Sequence, residues 1–287
     1  MKYNNTTYWT KIHKKYEGKL RAVSHPTLSE HLNQLKYGSE SNIILPCLQE
    51  IGLKFKQAGG EAISLLDVGA GTGYWSDMAY RVFVEQGFCV SVTAIDISQD
   101  ALGGLRERNP HIRTVCEDLK TVNPNLFIGI FDLVLSCYCL HHLVNLDDFL
   151  NALRFAGRSV RSGGFLMLMD PILTMSFSRF DVIDFSSYKG NGIPRHLYLI
   201  EDILGKEGFR REVVRPAVSF LLNGNIQGYG PISYNLADIL WRGLSILYKA
   251  DFSVPLLSRV LVRSDKTLKR WGLAFSSSVC VYSKSAP

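Results

Sequence analysis

Leu65-Leu66-Asp67-Val68-Gly69-Ala70-Gly71-Thr72-Gly73 is the stretch on which the reading of this chain turns. Its first half closes an apolar run, Ile63-Ser64-Leu65-Leu66-Asp67-Val68, with strand character. Its glycines are followed by a helix pattern, with Trp75, Met78, Ala79, Val82 and Phe83 at i, i+3, i+4, i+7 and i+8 and Gly87 placed to stop it. Glycines at a strand-to-helix turn allow tight dihedrals and let a ligand approach the backbone, while the helix N-terminus offers free amide donors. A nucleotide-like ligand is implied. The dinucleotide fingerprint is G-x-G-x-x-G, but here the third glycine comes one position early, and an acidic residue stands two before the first. Asp96 lies 23 residues beyond Gly73 at the end of a second apolar run, Cys89 to Ile95. A carboxylate there can accept hydrogen bonds from both hydroxyls of a ribose.

Working outward, strand-like and helix-like segments alternate from about Ile63 to about Phe209, the mark of a parallel sheet wrapped by helices. Asp100 to Arg108 reads as a short helix, Ile112 to Cys116 as a third strand and Phe131 to Ser136 as a fourth, after a connection through Asn123-Pro124 with little or no helix. The next helix has Asn145 as cap, Asp147 and Asp148 in its first turn, Leu146, Phe149, Leu150 and Leu153 as its buried stripe, and Arg158 and Arg161 in its last turn before Gly163. Phe165 to Met169 is a fifth strand. An irregular stretch runs to Pro194, and a helix with Ile200, Ile203 and Leu204 on one face ends at Gly208. Phe209 to Val214 and Ser276 to Tyr282 resume strand character. The residues between them include the apolar helix candidate Leu236 to Tyr248, read as the core of an inserted cap. The organisation expected is an N-terminal helical extension or lid over 1–59, an α/β core over 60–217, a cap over 218–270 and a final strand over 271–287.

Taken together, these motifs resemble the class I S-adenosylmethionine-dependent methyltransferase family over roughly Glu61 to Phe209. The resemblance implies an α/β, Rossmann-like, seven-stranded sheet whose final strand runs antiparallel. It also implies S-adenosylmethionine as cofactor, with S-adenosylhomocysteine as product. Asp67, Gly69, Ala70, Gly71 and Gly73 look like the cofactor loop, and Asp96 and Ile97 like the ribose-binding strand end. Glu117-Asp118-Leu119 looks like the element facing the adenine, with Cys116 and Leu119 candidates to flank the ring. Ser136 and Cys137 are expected beside the cofactor. Phe131-Asp132-Leu133-Val134 and Leu140-His141-His142-Leu143 are similar to the fourth motif of the branch that methylates small molecules and quinones. His141, His142 and Asp170 are then the candidate bases at strand ends. Tyr8, Trp9, Tyr16, Tyr37 and Glu40 suggest a lid over the acceptor, and Asp170, Asp181, Asp184, Arg195, His196 and Tyr198 border the expected mouth. Tyr138 is a further acceptor contact, and strand alternation would place it opposite Cys137 and Cys139.

Composition narrows the rest. With 287 residues, 46% hydrophobic and 20% charged, the chain can bury one sizeable core and decorate it. The net charge of +6 gathers partly at Lys11, His13, Lys14, Lys15, Lys19 and Arg21, read as a solvated helix face. Six scattered cysteines lack the C-x-x-C spacing of a zinc site, so no metal is expected; reduced core thiols suit a cytoplasmic setting. The N-terminal residues lack the apolar stretch of a secretory signal, and no window has the length of a membrane span. The preferred function is N- or O-methylation of a small molecule in specialised metabolism. RNA modification, methylation of a lipid quinone, and a non-catalytic cofactor-binding module are the alternatives. Nucleic acid is disfavoured because the base-methylating N/D-P-P-Y loop is replaced by Ser136-Cys137-Tyr138-Cys139; the oligomeric state is left open.

Overall fold

A computed structural model of the protein describes residues 5–16, 19–123, 125–174, 192–224, 231–249, 253–272 and 275–285. The α-helices α1 (Asn5–Lys15) and α2 (Glu30–Gln57), with a 3-10 turn at Leu20–Ala22 between them, precede the sheet. Then come β1 (Ala62–Val68), α3 (Tyr74–Glu85), β2 (Cys89–Asp96), α4 (Gln99–Arg108), β3 (Ile112–Cys116), β4 (Phe131–Cys137), α5 (Leu146–Ser159) and β5 (Val160–Asp170). The short β6 (Ile172–Leu173) and β7 (Arg195–His196) pair with each other. After α6 (Leu197–Lys206) and β8 (Phe209–Ser219), the helices α7 (Phe220–Asn223), α8 (Pro231–Lys249) and α9 (Ser253–Arg270) intervene before β9 (Phe275–Lys284).

The main sheet has seven strands in the order β3-β2-β1-β4-β5-β9-β8. The first five are parallel, and β9 runs antiparallel to both β5 and β8. This is the Rossmann-like architecture that the motif order implies. Because successive strand residues point to opposite faces, Leu65 and Leu66 enter different cores. Ile63, Leu65, Val92 and Leu133 pack with Leu48, Ile51 and Phe55 of α2 and Phe83 of α3. Leu66, Val68, Ile95 and Val134 pack with Phe149 and Leu153 of α5 and Ile200 and Leu204 of α6. Each fully buried Leu or Phe stabilises the fold by about 1.5–3 kcal/mol, so a sheet covered on both faces resists any shift of register.

The helix α5, between β4 and β5, departs from its sequence pattern at both ends. Asn145 does cap it, its Oδ1 accepting from the backbone N–H of Asp147 at 2.8 Å and of Asp148 at 3.2 Å. Leu146, however, is 46% exposed, and the buried stripe is carried by Phe149, Ala152, Leu153 and Ala156. Arg161 does not lie in the last turn. The helix stops at Ser159, and β5 begins at Val160, which pairs with Phe131; the next pair is Leu133 with Phe165. The four residues between form a bulge in which Gly163 has φ +75°, and Arg161 forms an ion pair with Asp132. The glycine that resembled a helix stop is therefore a kink inside the strand.

The strand alternation assumed around Tyr138 also fails. β4 ends at Cys137, and Tyr138 has φ +54°, the only non-glycine residue with positive φ among those described. That left-handed turn carries Cys137, Tyr138 and Cys139 onto the wall of one cavity. In the segment between β8 and β9, Trp241, Leu244, Tyr248, Val254 and Leu261 pack with Leu28 and Leu32. Reading α8 as cap core holds for one arc only, because Ile239, Leu240, Ile246 and Leu247 are exposed.

Candidate functional site

The turn after β1 forms as it does because its backbone has two obligations. The N–H groups of Gly69 and Ala70 both donate to the Ile95 carbonyl, at 2.8 and 3.0 Å, which fastens the turn to the end of β2. Gly69, Gly71 and Gly73 all have positive φ, at 75°, 53° and 82°. At Gly69 a Cβ would lie 2.2 Å from the Cys139 Sγ, so the backbone there must be bare. Asp96 then locks the turn from the side. Its Oδ2 accepts from the Gly71 N–H at 2.8 Å and its Oδ1 from the Ser98 N–H at 2.8 Å, while Ser98 caps α4 through the Ala101 N–H.

A cavity opens over this turn at the carboxyl ends of β1, β2 and β4. Gly69, Ala70, Gly71 and Asp96 form its floor, Ile97, Glu117, Asp118 and Leu119 one wall, and Cys137, Tyr138 and His142 another; Trp9 and Tyr37 belong to its roof. All of these were expected from the sequence. The cavity is also lined by His13, Val23, Thr72, Tyr74, Trp75, Cys139 and Leu143, which sequence reasoning did not assign to it. His13 was legible in principle: it follows Trp9 by four residues, so both lie on one face of α1.

Other expected residues stand behind the cavity or away from it. Asp67 is buried and accepts from the Ser76 hydroxyl at 2.5 Å, joining β1 to α3; burial pushes its carboxyl up to about 7. Gly73 begins α3, and a Cβ there would meet the Leu105 side chain at 2.2 Å. Ser136 is fully buried within β4. Cys116 is exposed and turned toward the Ile97 carbonyl. Tyr8 sits edge-on to Trp9, at 5.1 Å between ring centroids. Arg195 donates to the Leu143 and Val144 carbonyls at 2.9 and 3.1 Å, His196 precedes α6, and Tyr198 is 52% exposed. None of Arg195, His196 and Tyr198, which lie in β7 and α6, lines the cavity. Asp181 and Asp184 fall outside the described residues.

The roof is set by α1 and the segment after it. Trp9 meets His142 edge-on at 4.8 Å, and His13 is buried beneath it. Burial lowers the His13 pKa against the opposing pull of Asp96 and Asp100. Val23 lies over the glycine turn, where a Cβ on Gly71 would touch it at 2.7 Å, and its carbonyl accepts from the Tyr37 hydroxyl at 3.2 Å. Tyr37 in turn stacks on Trp75.

Two buried acid–base pairs flank Tyr138. On one side His141 Nδ1 meets Asp170 Oδ1 at 2.6 Å, and the His141 ring lies 3.8 Å from that of His142. Burial depresses His141 to about 3 and raises Asp170 to about 8, the latter opposed by His142 and by the backbone N–H groups of His141 and Leu140. Burial thus disfavours the charged form of each group. On the other side, Lys36 and Glu40 of α2 pair at 2.9 Å, exposed by only 2% and 0%. Burial again works against both charges, lowering Lys36 and raising Glu40. The Tyr138 hydroxyl donates to Glu40 at 2.6 Å and contacts the Ser277 hydroxyl at 2.6 Å, while the Lys36 ammonium stands 3.8 Å from the Tyr138 ring centre. Glu40 therefore sits beneath the cavity wall, where it supports Tyr138 and does not line the cavity itself.

The floor and first wall fit an adenosyl cofactor. A backbone that any side chain would obstruct, carboxylates at Asp96 and Asp118 and the flat apolar flanks of Ile97 and Leu119 match a polar sugar beside an aromatic base. A family model described as a methyltransferase domain matches residues 65–164. Among solved structures, a proposed sarcosine dimethylglycine methyltransferase from Galdieria sulphuraria is 15% identical with a TM-score of 0.51, over 84% of this chain and 85% of that one. Geranyl diphosphate C-methyltransferase from Streptomyces coelicolor A3(2) is 13% identical with a TM-score of 0.49, over 79% and 75%. The cyclase SpnF is 16% identical with a TM-score of 0.47, over 84% and 81%. At these identities the likeness is one of fold. No curated protein sequence matches the chain.

Proposed function

We propose that this chain, whose residues 65–164 match a methyltransferase-domain model, is a class I S-adenosylmethionine-dependent methyltransferase that transfers a methyl group to a nitrogen or oxygen of a small molecule in specialised metabolism. The observation that carries this reading is the roof: Trp9, His13 and Val23 close over the glycine turn, leaving an aromatic-lined space with His142 in its wall. A cavity roofed and walled by aromatic rings suits a small acceptor. The six free cysteines accord with a reducing, cytoplasmic setting.

In this reading Asp96 accepts from the ribose hydroxyls, Glu117 or Asp118 from the adenine amino group, and Ile97 and Leu119 flank the ring. Gly69, Ala70 and Gly71 present bare backbone, while Asp67 and Gly73 fix the start of α3 behind it and Ser136 lies buried in the adjacent β4. The bound cofactor supplies an already activated methyl group. What is left to the chain is alignment, exclusion of water and, for a hydroxyl acceptor, removal of a proton. Trp9, Tyr37 and Tyr138 orient the acceptor. His142 receives its proton, and His141, held by Asp170, packs against the His142 ring from behind. An amine acceptor needs orientation alone.

The test is incubation of the purified protein with methyl-labelled cofactor and separate panels of small amines, small hydroxyl compounds and RNA, read by mass and by label. A small compound gaining one methyl is the expected result; label appearing only in RNA would overturn the reading. With a hydroxyl acceptor, His142→Asn lowers kcat by about a hundredfold and leaves cofactor affinity unchanged in calorimetry.

A further inference from the structure

The helices α8 and α9 are each amphipathic in an unusual sense: the arc turned away from the protein is apolar and basic together. In α8, Trp241, Leu244 and Tyr248 face inward, while Ile239, Leu240, Ile246 and Leu247 face out, Ile246 with 71% of its surface exposed. At 100° per residue the four outward residues span one arc of roughly 120°, and Arg242 and Lys249 fall at its edge. In α9, Val254, Leu261 and Asp265 are buried. Its outer arc carries Leu256 at 79% exposure, Val260, and Trp271 at 67% just beyond its end, beside exposed Arg259, Arg263, Lys266 and Arg270.

Charge decides what covers this surface. The only acid of α9, Asp265, is buried, donates nothing to the outer face, and is held by Lys269 and by the Ser219 N–H. The outer arc of α9 therefore combines four cations with large apolar side chains and no acid. A second copy of the same arc would bring cations against cations, which disfavours self-association through it. No helix among the described residues is long and apolar enough to cross a membrane. Aliphatic and tryptophan side chains rimmed by Arg and Lys are the composition of helices that lie in the plane of a bilayer surface, with apolar groups among the acyl chains and cations at the headgroups.

We propose that the outer arcs of α8 and α9 dock this enzyme on an anionic lipid bilayer. The apolar residues insert at the headgroup boundary, and the cations draw the helices to negative lipid with a gain of about fivefold for each basic residue near the surface. The docking does not depend on which acceptor is methylated.

Flotation of the full chain with vesicles tests this. Phosphatidylcholine vesicles containing phosphatidylglycerol are expected to carry at least ten times more protein than vesicles of phosphatidylcholine alone, and the excess is expected to fall as salt is raised. Ile246→Glu with Leu256→Glu reduces the bound fraction at least tenfold while leaving the melting temperature and the cofactor affinity as they were. Arg259→Gln with Arg263→Gln and Lys266→Gln removes the preference for anionic vesicles in the same way. Absence of flotation with either composition, or binding indifferent to both sets of variants, overturns the proposal. So does a dimer in solution that the Ile246→Glu, Leu256→Glu variant splits, which would give the face to a second copy.

Discussion

The glycine turn and the network around Tyr138 border the same cavity, yet they are built in opposite ways. The turn is a matter of backbone: three glycines at positive φ, two amides on the Ile95 carbonyl and one amide on Asp96. The network is a matter of side chains drawn from far apart, with Lys36 and Glu40 from α2, Tyr138 from the end of β4, Asn223 from α7 and Ser276 and Ser277 from β9. His25 extends it by contacting Asn223 at 2.9 Å. The first can be damaged locally; the second ties the roof, the sheet and the segment after β8 into one unit. The two should therefore fail differently, the network in stability alone and the turn in cofactor binding as well.

Glu40→Ala is the sharpest way to break the network. It leaves Lys36 buried with no carboxylate and removes the carboxylate acceptor of the Tyr138 hydroxyl, at a cost of about 3–5 kcal/mol of folding stability. Urea unfolding measures this, and a loss under about 1 kcal/mol would show that the network is incidental. Gly69→Ala comes next. A side chain in the left-handed region costs about 1–2 kcal/mol, and the clash with Cys139 adds about 1–3 kcal/mol; the same unfolding experiment should show loss of stability, with loss of cofactor affinity in calorimetry. Asp96→Ala weakens cofactor binding by roughly 1.5–3 kcal/mol, ten- to a hundredfold. An unchanged Kd in calorimetry would remove Asp96 from the site. The smallest effect is expected far from both regions, at Asn145→Ala, where the loss of two cap hydrogen bonds costs about 1 kcal/mol without touching affinity.

The same contrast explains what could be read before the structure was known. The floor of the cavity was legible because local backbone needs leave local traces: glycine where φ is positive, an acid where amides converge, apolar runs where both faces of a strand are covered. Asp67 was legible as part of the motif but not in its role, since nothing in the sequence shows that Ser76, in the first turn of the next element, would claim its carboxylate. Leu146 and Arg161 misled because periodicity gives a direction on a helix, not a neighbour. Leu146 points to where α5 has no cover, and Arg161 is drawn into the strand by Asp132. Lys36, Asn223 and Ser277 were invisible, because a polar residue in a helix or strand reads as surface until its partner from another element is known. Tyr138 is the clearest instance. Its three hydroxyl partners come from three distant segments, and together they hold a left-handed turn that no local rule assigns to tyrosine.

The position of β9 has a consequence for how the protein is made. It lies between β5 and β8, and among the described residues β8 has no other neighbour in the sheet. On a ribosome, β1 to β5 can pair as they emerge, but β8 must wait without a partner while α7, α8 and α9 are synthesised and until Phe275–Lys284 clears the exit tunnel. Through that interval β5 presents a bare edge of unpaired amides and carbonyls, the kind of surface that recruits strands from other chains. Nascent molecules of this protein are thus most exposed to misassembly, and most in need of chaperones, at the moment when the cofactor turn is already complete.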